Sequence, residues 1–234
     1  MQPSGAGLPA VEIYSSMECP YAYLAVYRLR KLRAELAGKV RMVWRALSLE
    51  YINQQTYPKP LFEAEYSLFQ SIEPELPWKP WSGPQWRWPS THLPAFEALA
   101  CAQDQGEEAA FEMSWALRSA YFSGSKNLSL RHEILAAAGE LAGNGILDLD
   151  RFRNDWDSGR FRRQVLEESE RGWRKLGLEG SATLVLPDGS RHTNPAVGEI
   201  DFDEDNFILR SFTPYQGDPL AAYREILAAA LQPG

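Results

Sequence analysis

A strand, a helix and a second strand follow one another within the first 47 residues, and this order restricts the chain to few folds. The apolar run at residues 11–15 predicts the first strand. Leucines spaced three and four apart predict a helix over residues 21–36, which Gly38 ends. Residues 40–47 alternate partly with period two, as a second strand would. The connection is expected to be a right-handed crossover between two parallel strands.

Cys19 lies at the junction of this strand and helix, and Pro20, Tyr21 and Ala22 follow it. A thiol at the start of a helix faces unpaired N–H groups and the positive end of the helix dipole, and both favour the thiolate. We therefore expect a pKa below the roughly 8.5 of a free thiol, although the charge of Glu18 opposes this. In a Cys-X-X-Cys site the second sulfur resolves the mixed disulfide, but here that position is Ala22. Cys19 is thus predicted to act without a neighbouring thiol.

The composition is typical of a cytoplasmic enzyme. The 234 residues carry 24 basic and 31 acidic side chains, and a net charge of −7 argues against nucleic acid as a partner. Residues 1–9 lack the features of a signal peptide, and no run of about 18 apolar residues could span a membrane. Cys101 is predicted to be a core residue that forms no disulfide with Cys19.

Residues 53–94 contain eight prolines, which predict that no long regular element forms there. The same region carries four tryptophans. They either line a substrate channel or lid, or pin a proline-rich crossover to the core. We favour the second interpretation, because aromatic side chains are the usual means by which an irregular segment buries enough area to stay ordered.

The rest of the chain predicts a helical region followed by strands and a last helix. The predicted helices span residues 95–104, 107–122, 131–142, 149–158 and 160–176, and strand-like sequence resumes at residues 183–186. A final helix is predicted over residues 219–231. The expected organisation is a split domain of residues 1–60 and 178–234, with an inserted helical domain of residues 61–177 that begins with the segment rich in proline and tryptophan. A mixed sheet would bring residues 181 and 182 close to Cys19.

Three stretches carry a family resemblance: residues 14–24 around Cys19, residues 118–122, and residues 178–186. In these stretches the chain resembles the DsbA-like branch of the thioredoxin superfamily. Within that branch it is similar to a cytosolic group that includes 2-hydroxychromene-2-carboxylate isomerase, kappa-class glutathione transferases, and thiol oxidoreductases or mycothiol-dependent reductases. The resemblance covers nearly the whole chain and implies an α/β, thioredoxin-like fold with a large all-helical insertion. It specifies the fold more than the reaction, because one scaffold hosts several chemistries.

The resemblance also implies roles for individual residues. Cys19 would be the catalytic residue, and the bound thiol would be contacted by Pro20, Tyr21, Ala22, Ser181 and Ala182. Members of the family usually have a cis-proline at the position of Ala182. A cis bond before another residue costs about 3–4 kcal/mol, against roughly 0.5–1 kcal/mol before proline, so the sequence leaves the Ser181–Ala182 isomer open. The isomerase and kappa branch commonly has serine where this chain has Cys19.

These observations predict a thiol–disulfide oxidoreductase that acts through a single cysteine. Its partner would be a small-molecule thiol or electrophile, with glutathione or another low-molecular-weight thiol as co-substrate to resolve the mixed disulfide. No tightly bound cofactor is expected, and the sequence leaves open whether the chain forms a homodimer. Two alternatives remain, namely a glutathione-dependent isomerase or transferase of the kappa type, and a catalytically decayed binding protein.

Other catalytic interpretations are weaker. His192 and Asn194 could complete a cysteine-hydrolase set with Cys19, but no hydrolase signature surrounds Cys19. His92 and His132 each precede or begin a predicted helix, and we expect them to be surface or capping residues. Neither histidine has metal-ligand spacing with a cysteine or with the other, so no metal site is predicted.

Overall fold

A mixed four-stranded sheet forms the centre of the protein, whose computed structural model describes residues 7–203 and 206–231. The strand order is β2-β1-β3-β4, and the strands are β1 (Ala10–Ser15), β2 (Arg41–Ala46), β3 (Thr183–Val185) and β4 (Arg191–Thr193). β1 and β2 are parallel, whereas β3 is antiparallel to β1, and β4 to β3. The mixed sheet predicted from the sequence is confirmed.

Helix α1 (Pro20–Leu36) connects β1 to β2, as the leucine spacing predicts. Leu29 and Leu32 lie on its buried face. Cys19 caps the helix with an extended backbone, and Pro20 occupies the first turn, where a missing N–H interrupts no hydrogen bond. Pairing of β1 with β2 along its whole length therefore holds Cys19 just beyond the end of a central strand.

The expectation of no long regular element between residues 53 and 94 is wrong. Helix α3 (Lys59–Ile72) has 14 residues and follows the short helix α2 (Leu49–Asn53). Pro58 lies at the N-cap of α3 and Pro60 in its first turn, where proline is tolerated. The next proline comes only after the helix has ended. The prolines therefore delimit this helix instead of preventing it.

The helical region predicted from residue 94 to residue 177 is confirmed, with small differences at the helix ends. It contains α4 (Leu93–Gln103), α5 (Glu107–Phe122), α6 (Arg131–Gly143), α7 (Leu149–Asp157) and α8 (Arg162–Glu170). α8 continues into a π-helical turn at Arg171–Lys175. A Cβ on Gly172 would lie 2.5 Å from Leu47 Cδ1 and 3.1 Å from Tyr14 Cδ1, so this turn packs directly on the sheet.

The C-terminal part contains a second, two-stranded sheet that the sequence analysis missed. It pairs β5 (Gly198–Asp203) with β6 (Ile208–Pro214) in antiparallel fashion. β5 alternates acidic with apolar residues, and carboxylates are depleted in strands. Helix α9 (Pro219–Ala229) confirms the predicted last helix and packs against α1.

Aromatic side chains attach the irregular segment after α3 to the core. Trp78 and Trp81 are buried, with ring centroids 5.0 and 6.4 Å from that of Phe62 in α3. Trp88 Nε1 donates a hydrogen bond to the carbonyl of Tyr57 at 2.9 Å. Trp86, by contrast, is 81% exposed. This arrangement agrees with the interpretation that the tryptophans attach a crossover segment to the core.

Buried apolar residues from both predicted domains belong to one core. Ile13 of β1, Phe111 of α5 and Leu227 of α9 are members of the same cluster. Within the part of the chain that the structure describes, no helix is both long and apolar enough to cross a membrane.

Candidate functional site

Cys19 is almost completely enclosed at the start of α1, with 4% of its surface exposed. Its Sγ donates a hydrogen bond to the backbone carbonyl of Ser181 at 3.1 Å. The Ser181 hydroxyl oxygen accepts a hydrogen bond from the backbone N–H of Ser16 at 2.7 Å. Ser181 therefore connects the loop before β3 to both Cys19 and the loop after β1. The antiparallel pairing of β1 with β3 brings these two loops together.

The other residues predicted to shape the site lie around Cys19 in different ways. Pro20 and Ala22 are buried in the first turn of α1, and Tyr21 is half-buried. The Tyr21 ring packs edge-on against Phe69 of α3, with centroids 4.9 Å apart. α3 therefore borders the first turn of α1, the turn that begins at Cys19.

Ser181 and Ala182 lie beside the sulfur, as the resemblance implies. The peptide bond between them is cis, which decides the question that the sequence left open. The carbonyl of Ala182 accepts a hydrogen bond from the backbone N–H of Asn194 at 2.9 Å. The loop that contains both residues is thus fixed by β1 on one side and by the end of β4 on the other.

The expected low pKa of Cys19 is wrong for this closed structure. Burial raises the pKa of the Cys19 thiol to about 12, and the carboxylate of Glu65 in α3 adds to the increase. The backbone N–H groups of Ala22 and Tyr21 act in the opposite direction, as the helix-start argument requires. Desolvation nevertheless outweighs them, since transfer of a thiolate away from water costs more than these donors return. The thiol is therefore protonated at neutral pH while the site is closed.

A buried polar network supports the loop that leads to Cys19. Arg118 in α5 donates from Nη2 to the hydroxyl of Ser15 at 2.9 Å and to the carbonyl of Ser16 at 3.0 Å. The Ser16 hydroxyl donates to Glu18 Oε2 at 2.8 Å and accepts from the N–H of Leu49 at 3.2 Å. This network connects the loop to both α5 and α2.

Several polar atoms near this network are buried without a hydrogen-bond partner. They include Glu18 Oε1, both ring nitrogens of His92, the Tyr121 hydroxyl and Arg118 Nε. The carboxylate of Glu18 acts electrostatically on the other three residues, so all four lie in one region. Buried polar atoms in this state are uncommon in native proteins, and ordered water or a functional role usually accounts for them.

His92 corrects an expectation from the sequence. It was predicted to be a surface or capping residue, but it is completely buried and its side chain makes no capping hydrogen bond. Its ring packs edge-on against Tyr121, with centroids 5.0 Å apart. The backbone N–H of His92 donates a hydrogen bond to Glu50 Oε2 at 2.8 Å, and this bond fixes the start of α4. Only His132, which is 71% exposed, fits the expectation.

The second cysteine and the third histidine lie on other elements. Cys101 is buried in α4, as predicted, and both cysteines are free. His192 lies on β4, where it is paired with Leu184 of β3. The partner of Cys19 Sγ is instead the backbone of Ser181, and the geometry gives the hydrolase interpretation no support.

Comparison with known proteins identifies the family. Residues 10–204 match the model of the DSBA-like thioredoxin domain. The chain belongs to the DSBA-like thioredoxin family. A search of curated proteins found no significant match.

Solved structures of DsbA-like proteins share the fold at low sequence identity. The cytosolic disulfide reductase DsbM from Pseudomonas aeruginosa is 18% identical, with a TM-score of 0.63 over 94% of this chain and 98% of that one. DsbM with GSH has the same TM-score at 16% identity, over 94% and 99% of the two chains. 2-Hydroxychromene-2-carboxylate isomerase is 15% identical, with a TM-score of 0.57 over 79% of this chain and 88% of that one. The predicted α/β thioredoxin-like fold with many helices is confirmed.

The sequence analysis missed the polar residues that the DSBA-like fold brings close to Cys19 or to the adjacent Glu18 from other elements. Glu65, His92 and Arg118 come from α3, from the N-cap of α4 and from α5. One signal was available for Arg118, because it interrupts the buried face of α5 together with Ser114, and a charged residue on such a face needs a partner. For His92 and Glu65 the sequence holds no comparable signal.

Proposed function

We propose that this DSBA-like protein is a thiol–disulfide oxidoreductase in which Cys19 acts alone and a low-molecular-weight thiol, such as glutathione, resolves the intermediate. The observation that carries the proposal is the position of Cys19 Sγ between the first turn of α1 and the carbonyl of Ser181, with Ala22 one turn further on. The solved structure of DsbM with GSH supports a small thiol as the partner. The proposed location is the cytoplasm, as for the cytosolic DsbM.

The proposed cycle has two exchange steps. The Cys19 thiolate attacks the glutathione sulfur of a mixed disulfide between glutathione and a substrate thiol. The new S–S bond joins Cys19 to glutathione, the old S–S bond breaks, and the substrate leaves as a thiolate that takes up a proton. A second glutathione thiolate then attacks the sulfur of the glutathione bound to Cys19. Glutathione disulfide leaves and the Cys19 thiolate is restored, so in the net exchange the mixed disulfide and one glutathione thiol give the substrate thiol and glutathione disulfide.

Burial supports a small partner over a protein disulfide. With 4% of its surface exposed, Cys19 is inaccessible to a rigid protein surface unless the first turn of α1 or α3 moves. A low-molecular-weight disulfide needs a much smaller opening. Pro20, Tyr21, Ala22, Ser181 and Ala182 are the proposed contacts of this small partner.

The test is adduct formation. The reduced protein is incubated with glutathione disulfide and with a panel of other small disulfides, and the modified peptide is identified by mass spectrometry. We expect one glutathione per chain, on Cys19, with Cys101 unmodified because it is completely buried in α4. Cys19→Ser should form no adduct. A native protein that forms none at Cys19 would favour the decayed, binding-only alternative.

A second variant tests whether the missing resolving thiol limits the activity. Ala22→Cys places a thiol one helical turn from Cys19, in the position of the second cysteine of a Cys-X-X-Cys site. We expect this variant to reduce insulin, and the parent protein not to. Ala25→Cys is the matched control, since it adds a buried thiol to the same helix outside the motif.

The kappa-type isomerase or transferase remains the second candidate function. The lone cysteine at the start of α1, without a second cysteine at Ala22, and the likeness to 2-hydroxychromene-2-carboxylate isomerase favour it. It would require glutathione to be bound without oxidation. Tight binding of reduced glutathione, with no disulfide adduct at Cys19 after exposure to glutathione disulfide, would therefore support this function over the first.

A further inference from the structure

Two arginines, Arg28 and Arg118, are buried in the described part of the chain, and their surroundings differ. Arg28 pairs with the carboxylate of Glu73 at 3.4 Å. Arg118 donates only to neutral oxygens, which belong to Ser15, Ser16 and Ser114. Among the ion pairs of residues 7–203 and 206–231, none includes Arg118. Because a buried cation without an anionic partner is costly, its charge calls for an explanation.

We propose that Arg118 is the counter-ion of the Cys19 thiolate and thereby a positioning residue for the thiol chemistry. This inference takes one assumption from the proposed function, namely that Cys19 reacts as a thiolate. The step is the loss of a proton: the S–H bond of Cys19 breaks, the proton passes to a solvent base when the site opens, and the charge that remains on Sγ is stabilised by the guanidinium.

Hydrogen bonds fix the guanidinium relative to the sulfur. Arg118 Nη2 donates a hydrogen bond to the backbone carbonyl of Ser16. The backbone N–H of Ser16 donates to the hydroxyl of Ser181, and Cys19 Sγ donates to the backbone carbonyl of Ser181. Arg118 and the sulfur therefore belong to one continuous network. The Nε–H of Arg118 is buried without a hydrogen-bond partner.

Electrostatics support the pairing of the two groups. Burial lowers the pKa of Arg118 to about 10, which leaves it charged at neutral pH, and a negative charge on Cys19, once the thiol is ionised, or on Glu18 opposes this decrease. A Coulomb interaction is mutual, so a charged guanidinium here also favours a thiolate at Cys19. Both side chains are buried, which reduces the screening of this interaction by water.

The carboxylates near Cys19 oppose the formation of a thiolate. Glu65 faces the sulfur from α3 and raises the pKa of Cys19, and Glu18 precedes Cys19 in the chain. Both carboxylates repel a thiolate. Without Arg118, the favourable contributions would come from the N–H groups of Tyr21 and Ala22 and from the contact with Ser181.

The experiment measures the rate of Cys19 alkylation by iodoacetamide as a function of pH, with the labelled peptide identified by mass spectrometry. Arg118→Gln removes the charge, whereas Arg118→Lys keeps it. Arg28→Gln is the matched control, since it removes an equally buried arginine that is bonded to Glu73 and to the carbonyls of Pro195 and Ala196. Circular dichroism and urea unfolding show how far each variant is folded.

We expect Arg118→Gln to move the pH midpoint of Cys19 alkylation upward by about one unit or more, which corresponds to about a tenfold lower thiolate fraction below the midpoint. Arg118→Lys should recover most of the shift, and Arg28→Gln should leave the midpoint unchanged despite its loss of stability. An unchanged midpoint in folded Arg118→Gln would overturn the proposal. An equal shift in Arg28→Gln would do the same, because the effect would then be structural.

Alkylation requires a thiolate but no glutathione. A failed glutathione-adduct experiment together with the expected alkylation profiles would therefore reject the proposed function and leave the role of Arg118 intact. If Arg118→Gln does not fold, the comparison of Arg118→Lys with the native protein decides. The ammonium of Arg118→Lys keeps the charge but cannot make the four hydrogen bonds of the guanidinium. The pH midpoint of Cys19 alkylation in this variant should therefore lie within a few tenths of a unit of the native value. A larger shift would contradict a role that depends on charge.

Discussion

At the scale of single residues, the chemistry near Cys19 depends on how much water surrounds each group. The N–H groups of the α1 start act on the sulfur in the expected direction, but burial outweighs them and raises the pKa of Cys19. The same burial lowers the pKa of His92 and raises that of Tyr121. Each of these residues is therefore neutral at pH 7 while the site is closed, although charged carboxylates lie near them.

His92 should make the protein sensitive to mild acid. Burial lowers its pKa below the value of about 6.5 in the unfolded chain, although Glu18 and Glu50 raise it partly. Because the unfolded state takes up a proton first, the free energy of unfolding falls as the pH falls below about 6.5, by at most about 1.4 kcal/mol per pH unit. Above that pH this contribution to stability is complete.

The corresponding measurement is urea unfolding at pH 7, 6 and 5. His92→Phe keeps a ring against Tyr121 but cannot be protonated, so we expect its stability to vary less with pH than that of the native protein. His132→Gln, a change at an exposed histidine, is the control and should keep the native slope. Equal slopes for His92→Phe and the native protein would show that His92 does not titrate in this range.

At the scale of elements, the fold depends on close approaches that the sequence pattern does not display. The π-helical turn after α8 lies against Tyr14 and Leu47 because Gly172 has no side chain. Gly139 lies inside α6, and a Cβ there would meet nothing within 4 Å. The two glycines thus have opposite environments although both are helical.

Gly172→Ala should destabilise the protein by roughly 1–3 kcal/mol, because the new methyl group overlaps with Leu47 Cδ1 in a packed core. Gly139→Ala should instead stabilise it by about 0.5–1 kcal/mol, since alanine is the better helix former. Urea unfolding of both variants measures the difference. The packing argument would be wrong if both substitutions changed the stability in the same direction by the same amount.

Access to Cys19 should depend on the contact between α3 and α1. The Phe69 ring packs on Tyr21 and on Trp78, next to the turn that contains the sulfur. Phe69→Leu should accelerate alkylation of Cys19 severalfold, because a smaller side chain lets α3 and the first turn of α1 separate more easily. Phe152→Leu, in α7 against Trp156, removes a similarly buried ring and should destabilise the protein comparably without this acceleration. Equal acceleration in both variants would indicate global unfolding instead of local opening.

At the scale of the whole molecule, sequence patterns predicted those parts that are local and periodic. The strands on either side of α1, the helices from α4 to α8, and the place of Ser181 beside Cys19 follow from spacing, from turn residues and from the family resemblance. The number of prolines does not predict α3, because proline at the N-terminus of a helix is compatible with the helix and only its position shows this. The high pKa of Cys19 and the burial of His92 and Arg118 arise from packing between distant elements, which no local pattern encodes.

The predicted split domain and the predicted helical insertion should unfold as one unit, although the prediction from the sequence separates residues 1–60 and 178–234 from residues 61–177. Arg45 of β2 is bonded to Glu168 of α8 at 2.9 Å, and the same carboxylate accepts the N–H of Ala46 at 2.9 Å. One apolar core also contains residues of both parts. Cys19 reports on the first part and Cys101 on the second, and both are buried. Pulsed alkylation across a urea series should therefore label the two cysteines with coincident midpoints.

Glu168→Gln tests the connection between the two parts. It weakens the bonds to β2 and should lower both midpoints together, for a loss of roughly 1–3 kcal/mol. Glu167→Gln removes the exposed partner of Arg163 on the same helix and should change the stability by less than about 0.5 kcal/mol. Labelling of Cys101 at a lower urea concentration than Cys19, in the native protein or in Glu168→Gln, would mean that the helical insertion unfolds independently. The ion pair and the common core would then not couple the two parts, and the helical insertion would be a separate domain in the thermodynamic sense as well as in the sequence.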